Sequence, residues 1–296
     1  MIPNVLLLGN GINLSYGGIS WNGLLGSIST QSREYTNRII DSDIPAPLKA
    51  IAVTEDRIDV QMKLNKNSFY GSVTDGEQQS ILKRLLNMGF DCILTTNYSY
   101  ELEEAGLGLQ NIEDKQLINL QTHTAEAKRA EAHFLLHTYM DVPAGSSRCP
   151  VWHIHGEARK PDSMILGHYY YGNLLFKIKE LLGKRGDAYR DCEREGKPFP
   201  ADSWVDYFIT GNVYILGFGM DISELDLWWL MNRKKREKAQ VGKVHFYEPR
   251  NDADFAKPEL LRMLGAEIHS MGISKESKRY KEFYGLAIAD IERRIR

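Results

Sequence analysis

Five short apolar runs, each ended by glycine or by a polar side chain, limit the folds open to this chain of 296 residues. Continuous apolar runs without alternation are typical of strands buried on both faces, as in parallel sheets covered by helices. We therefore expect five parallel strands. The runs are Val5–Leu8 before Gly9, Cys92–Thr95 before Thr96, Val151–Ile154 before His155, Val213–Leu216 before Gly217, and Val244–Tyr247 before Glu248.

Helical patterns lie between these runs. From Ser80 to Asn87 the apolar residues form one stripe, and Gly89 follows where a C-terminal cap is expected. Farther along, Asp221 and Glu224 have the spacing of a capping box at the start of a helix. Strands that alternate with helices predict an α/β fold with a doubly wound, Rossmann-like parallel sheet.

Two stretches interrupt this alternation, at residues 32–79 and about 124–205. We interpret them as largely helical insertions that form a smaller lobe, because the second contains helical patterns at Ala125–Tyr139 and Asn173–Leu182. Residues 274–296 predict a closing helix with one apolar face. The length and the single series of strands predict one domain over residues 1–296.

Composition excludes several classes of protein. Hydrophobic residues make up 43% of the chain and charged residues 26%, as in ordinary globular proteins. The net charge of -2 provides no overall field for nucleic acid or an anionic membrane, so we expect nucleic-acid contact only through a partner. Neither a signal peptide nor a membrane span is evident, which predicts a soluble cytoplasmic protein without membrane contact.

The sequence predicts no metal site. Its 3 cysteines include no C-x-x-C pair, which excludes a four-cysteine zinc module and a disulfide framework and fits a reducing cytoplasm. His133 and His137 are spaced for one face of a helix, but no third ligand is evident nearby.

The ends of the five runs form the candidate functional site, because ligands bind at the carboxyl ends of the strands in open parallel sheets. Gly9-Asn10-Gly11 allows the backbone to approach a pyrophosphate, but Leu14 occupies the position of the third glycine of the dehydrogenase fingerprint. Asn97 and His155 place an amide and an imidazole at two strand ends. This pair can orient a water molecule and accept its proton, which suits hydrolysis at a sugar carbon.

Each motif also has a structural interpretation. A glycine turn serves any strand-to-helix connection, and a buried histidine is commonly a hydrogen-bonded core residue. The choice between His153 and His155 is ambiguous, because residues two apart on a strand share a face of the sheet. The combination of motifs in one crevice favours function over these alternatives.

Taken in order, the motifs resemble the sirtuin family. More narrowly, Ser20-Trp21, the Thr-Thr-Asn-Tyr run and the Gly-Phe-Gly-Met-Asp run are similar to sirtuin-like NAD hydrolases of bacterial anti-phage defence. The resemblance covers the sheet-forming half of the chain. The motifs that carry it are Gly9-Asn10-Gly11-Ile12-Asn13 with Gly18-Ile19, Thr95-Thr96-Asn97-Tyr98, His155-Gly156, and Gly217-Phe218-Gly219 with Asp221.

The resemblance implies a sirtuin-type site that binds NAD⁺ as its substrate, with Asn97 and His155 as the catalytic pair. It also implies ligand contacts from other residues at the strand ends. Missing zinc-module cysteines argue against peptide deacylation, while Asn13 and Ser99 depart from the Ser and Asp usual in the family. The implied binding residues are Gly9, Asn10, Gly11, Asn13, Thr95, Thr96, Gly217, Phe218, Asp221, Tyr247 and Glu248, and Asp221 has the alternative role of a helix cap.

The leading hypothesis is an NAD⁺ glycohydrolase that releases nicotinamide and ADP-ribose as the NAD-depleting effector of an abortive-infection system. We expect a homo-oligomer that is controlled by a separate sensor or activator protein. One alternative is a non-catalytic module that senses NAD or ADP-ribose. An NAD-dependent deacylase or ADP-ribosyl transferase is less favoured.

Overall fold

The computed structural model describes residues 2–58, 61, 76–126, 135–237 and 239–296. One sheet has the strand order β3-β4-β5-β2-β1-β6-β7-β8. The neighbouring strands β5, β2, β1, β6, β7 and β8 are parallel to one another. Strand β4 is antiparallel to β5, and β3 is antiparallel to β4. The strands are β1 (Asn4–Leu8), β2 (Cys92–Thr95), β3 (Gln121–His123), β4 (Thr138–Ala144), β5 (Ser147–His153), β6 (Asn212–Leu216), β7 (Val244–Tyr247) and β8 (Ala266–His269).

Helices cover both faces of the sheet and enclose two apolar cores. Leu6 and Leu8 of β1 enter one core, whereas Val5 and Leu7 enter the other. Because both faces are buried, the strands are continuously apolar. The helices are α1 (Gly11–Ser15), α2 (Trp21–Ile28), α3 (Arg33–Ile40), α4 (Ala46–Thr54), α5 (Gly76–Leu86), α6 (Glu101–Leu107), α7 (Asp114–Leu120), α8 (His168–Arg185), α9 (Ala188–Arg194), α10 (Trp204–Thr210), α11 (Leu225–Lys235), α12 (Ala256–Met263) and α13 (Tyr280–Ile295), with 3-10 turns at Pro161–Ser163 and Lys275–Ser277.

The α/β prediction and the five expected strands are confirmed, but β3, β4 and β8 were not expected. The helical pattern predicted for Ala125–Tyr139 is wrong at its end, because β4 begins at Thr138. Residues 127–134 of that pattern, including His133, lie outside the described residues. Residues 124–205, expected to be largely helical around the predicted strand β5, also contribute β4 to the sheet. The smaller lobe stays a prediction.

Two predicted helix starts need correction. Helix α11 begins at Leu225 with Glu224 as its N-cap, whereas the Asp221 carboxylate accepts hydrogen bonds from Ser223 in the preceding turn. The closing helix begins at Tyr280 rather than at residue 274, after the 3-10 turn Lys275–Ser277.

In the part of the chain that the structure describes, no helix has both the length and the apolar character required to cross a membrane.

Candidate functional site

A cavity of about 680 Å³ lies at the carboxyl ends of the parallel strands. Its size falls in the range of pockets that enclose small molecules and cofactors, roughly 300 to 1,000 Å³. Gly9, Asn13 and Thr95 are not on its wall. The other residues predicted for the site are on the wall: Asn10, Gly11, Thr96, Asn97, His155, Gly217, Phe218, Asp221, Tyr247 and Glu248.

The glycine turn after β1 is packed against the turn after β6. The Gly11 amide donates a hydrogen bond to the Gly217 carbonyl oxygen over 2.7 Å. A Cβ at Gly9 would lie 2.5 Å from the same oxygen, and a Cβ at Gly11 would overlap the Tyr284 hydroxyl. Side chains at these positions would force the two turns apart, so glycine is required for this part of the wall.

Asn13 supports the wall from behind. Its Nδ2 donates to Asn10 Oδ1 over 3.1 Å, and its Oδ1 accepts a hydrogen bond from Gln78 Nε2 over 2.9 Å. Asn10 Nδ2 in turn donates to the Ile19 carbonyl oxygen. Asn13 is buried and reaches the cavity only through Asn10, so its predicted direct contact with ligand has no support from its position.

The backbone of Asn97 is fixed while its side chain is free. Thr95 Oγ1 donates to the Leu8 carbonyl oxygen and accepts from the Asn97 amide, which orients the turn after β2. The Asn97 carbonyl oxygen also accepts a hydrogen bond from His153 Nδ1 over 2.9 Å. The Asn97 carboxamide is on the cavity wall and has no hydrogen bond to another described residue. It is therefore available to a ligand.

His155 follows β5 and is backed by two carboxylates. Its Nε2 lies 3.0 Å from Asp226 Oδ2, and its Nδ1 lies 3.8 Å from Glu224 Oε2. Burial disfavours the imidazolium, but Asp226 and then Glu224 stabilise it, and the pKa of His155 is raised. The bond to Asp226 favours the tautomer with hydrogen on Nε2, which leaves Nδ1 as the proton acceptor.

Glu224 forms a second titratable group on the cavity wall. Burial raises its pKa to about 7, with His155 opposing the rise and Asp226 adding to it. Its Oε2 accepts a hydrogen bond from the Tyr171 hydroxyl over 3.0 Å, and the Tyr171 ring packs edge-on against His155. The carboxyl group is therefore close to half ionised at neutral pH.

Sequence reasoning missed the contribution of Glu224, Asp226 and Tyr171 to the site. Glu224 was assigned only a capping role, and Asp226 meets His155 across 71 positions of sequence. An acidic pair at the start of a helix that follows a glycine turn is the one available signal, and it is a weak one because such residues also favour the helix dipole.

His153 is held differently from His155. Its Nδ1 faces the Asn97 carbonyl oxygen, and its Nε2 lies 3.0 Å from Glu103 Oε1. Both partners are acceptors, so both nitrogens must carry hydrogen. Burial opposes this charge, but Glu103 outweighs it and raises the pKa of His153 to about 9. The expectation that both histidines share a face is wrong, because β5 ends at His153 and the two rings reach different helices, α6 and α11.

Three other polar side chains on the wall, Tyr247, Glu248 and Ser99, already have hydrogen-bond partners. The Tyr247 hydroxyl donates to Asp290, and Glu248 accepts a hydrogen bond from Lys257 Nζ over 2.7 Å. These bonds occupy the Tyr247 hydroxyl and the Glu248 carboxylate. Ser99, where the family pattern has an acidic residue, donates its hydroxyl proton to Glu101.

The fold and this crevice define an α/β protein of the Rossmann-like class with a ligand cavity at the ends of its parallel strands. Within that class, the chain belongs to the SIR2-like domain family, whose model matches residues 91–269, more than half of the sequence. The match includes Asn97, His155 and Gly217, whereas the glycine turn after β1 precedes it. The resemblance read from the motifs is confirmed at this level. No curated protein matches the chain.

Proposed function

We propose that this protein is an NAD⁺ glycohydrolase, which cleaves the bond between nicotinamide and ribose with water and yields nicotinamide, ADP-ribose and a proton. One observation carries the proposal: an unbonded carboxamide and a carboxylate-backed imidazole lie on the wall of the same cavity, in a member of a family associated with NAD.

The donor set of the cavity fits a dinucleotide. Its wall combines amide groups for sugar hydroxyls, aromatic rings that can stack on bases, and one ammonium group from Lys275 for a phosphate. The aromatic residues on the wall are Trp21, Tyr98, Tyr171, Phe218, Tyr247, Tyr280, Phe283 and Tyr284.

The proposed roles follow from the contacts. The Asn97 carboxamide binds the nicotinamide ribose and orients the attacking water. His155 Nδ1 accepts the proton of that water, while Asp226 holds the proton on Nε2. Positive charge develops on the ribose as the bond to nicotinamide breaks, and the carboxylates of Glu224 and Asp226 stabilise it.

The first experiment measures nicotinamide release from NAD⁺ by the wild type, Asn97→Ala and His155→Ala, together with NAD⁺ binding by calorimetry. His168→Ala is the matched control, because His168 is exposed on α8 and absent from the cavity wall. We expect both site variants to lose turnover and the control to keep it. Turnover that survives both substitutions would exclude this site, whereas NAD⁺ binding without turnover would support the sensor alternative.

We further propose that the activity serves as the effector of a cytoplasmic anti-phage response and is controlled by homo-oligomerisation and by a sensor or activator protein. The motif resemblance supports this part. Comparing turnover of the isolated chain with that of the chain and its co-purifying partner tests it, with mass measured in both states. A monomer that is fully active alone would contradict it. Nicotinamide release that requires an acyl-lysine peptide would favour a deacylase instead.

A further inference from the structure

Two histidines and a glutamate converge at one edge of the sheet, outside the cavity described above. His245 is on β7, while Glu267 and His269 are two residues apart on β8, so the three side chains share a face. Within the described ranges, this is one of two groups with three metal-ligating side chains whose ligand atoms all lie within 4.8 Å of one another. The other group surrounds His155.

The spacing of the ligand atoms matches a tetrahedral metal centre. His245 Nδ1 lies 3.2 Å from His269 Nε2 and 3.4 Å from Glu267 Oε2. Ligands held by a tetrahedral zinc ion at 2.0–2.1 Å are about 3.3 Å apart. A hydrogen bond between two neutral imidazoles uses a single proton, so His245 Nδ1 has no second proton for Glu267. One divalent cation would satisfy all three atoms.

The surroundings hold the ligands in place. Tyr214 stacks on His245 with ring centroids 4.9 Å apart, and Tyr247 stacks on His269 at 4.6 Å. The nearby cations have anionic partners: Arg294 bonds Asp290, and Lys243 bonds Glu267 through Oε1. Glu267 Oε2 is left for the metal.

We propose that His245 Nδ1, His269 Nε2 and Glu267 Oε2 bind a divalent transition metal ion of the zinc class. Two imidazoles and a carboxylate are a ligand set that such ions prefer, and the half-exposed Glu267 leaves the fourth position to water. The ion would fasten the edge strand β8 to β7. This revises the sequence-based expectation that the protein has no metal site.

The test is titration of the metal-free full chain with Co²⁺, followed by its visible absorption, and with Zn²⁺ by calorimetry. We expect one ion per chain with a tetrahedral cobalt band, and at least about tenfold weaker binding in His245→Gln, Glu267→Gln and His269→Gln. Zn²⁺ should raise the Tm of the wild type and leave that of His269→Gln unchanged. Of these variants, Glu267→Gln should disturb the fold least, because the Glu267 side chain is 41% exposed.

Two histidine variants serve as controls. His168→Gln removes an exposed imidazole, and His155→Gln removes the second candidate group. Both should bind Co²⁺ as the wild type does. Binding that is lost in His155→Gln, binding that persists in His245→Gln, or a wild type that takes up no ion would each overturn the proposal.

Discussion

His153 and His155 are two residues apart, are equally buried, and each contacts a carboxylate, yet their environments differ in one decisive respect. Both ring nitrogens of His153 face acceptors, the Asn97 carbonyl oxygen and Glu103. His155 Nε2 is hydrogen-bonded to Asp226, whereas its Nδ1 lies 3.8 Å from Glu224 Oε2 on the cavity wall, too far for a hydrogen bond. An imidazolium that donates from both nitrogens has no free lone pair and cannot accept a proton. A neutral imidazole that donates from one nitrogen can accept a proton on the other.

The difference arises from where β5 ends. His153 is the last residue of the strand and is paired with Thr95 of β2, so its ring is directed into the core that contains α6. His155 follows in a turn that Gly156 makes possible with a φ of 89°, where a Cβ would overlap the backbone of Ser163. Burial and a carboxylate partner thus do not separate a structural histidine from a reactive one, whereas counting acceptors does.

The largest expected effect is on turnover. We expect His155→Gln to lower kcat by roughly 10³-fold, the contribution typical of a general base. His153→Gln should keep kcat within about tenfold when assayed at a temperature where it is folded, because its nitrogens do not face the cavity. Steady-state nicotinamide release at saturating NAD⁺ measures kcat for both variants. Equal losses in the two folded variants would mean that the comparison between the two histidines is wrong.

The second effect is on stability. His153→Gln leaves Glu103 buried without its cationic partner, and we expect a loss of about 3 kcal/mol in the free energy of unfolding. The double variant His153→Gln with Glu103→Gln should recover part of that loss, since no buried charge remains. Urea denaturation measures each value. An additive double variant would show that the two side chains do not interact.

The same pair predicts a pH dependence. The pKa of His153 is raised from 6.5 to about 9 on folding, so its stabilisation is complete below pH 6.5 and disappears as the pH rises through 9. The difference in unfolding free energy between wild type and His153→Gln should therefore be large at pH 6 and small at pH 10. A difference that stays constant over this range would contradict the imidazolium assignment.

Substitution of Glu224 is expected to have smaller effects, with a gain in stability and a loss of activity. Its pKa is raised from 4.5 to about 7, so the ionised carboxylate destabilises the folded protein as the pH rises through 7. At pH 8, Glu224→Gln should raise the free energy of unfolding by roughly 1 to 2 kcal/mol, with a higher Tm, and should lower kcat about tenfold. The kcat profile of the wild type should rise through pH 7, and in Glu224→Gln the rise should move to lower pH, because the Glu224 carboxylate no longer raises the pKa of His155, the general base.

A matched control distinguishes Glu224 from its hydrogen-bond partner. Tyr171→Phe removes the hydroxyl that bonds Glu224 and keeps both the ring and the carboxylate. We expect it to shift the midpoint of the pH profile without removing the rise. A profile that is unchanged in Glu224→Gln would show that another group titrates.

The sequence predicted the strand ends because apolar runs locate buried strands and because the carboxyl ends of parallel strands converge. It could not predict that Asp226 meets His155, since this depends on the strand order, which brings the helix after β6 against the turn after β5. Strand β4 was missed because it is antiparallel with alternating burial, and its first two residues, Thr138 and Tyr139, fell within a predicted helix. Two of the proposed metal ligands, Glu267 and His269, were missed with β8, which is short and only partly buried.

The smallest expected effect tests whether Asn13, which departs from the family pattern, impairs the site. Asn13→Ser loses both carboxamide bonds, leaves Gln78 Nε2 without its buried acceptor, and should cost about 1 kcal/mol of stability. Because Asn13 reaches the cavity only through Asn10, we expect KM for NAD⁺ to rise about threefold with kcat unchanged. Asn13→Asp, which still accepts from Gln78 but places a buried carboxylate oxygen against Asn10 Oδ1, should show the same KM and a larger loss of stability. A higher kcat in Asn13→Ser would instead indicate that this residue suppresses turnover, as the sensor alternative requires.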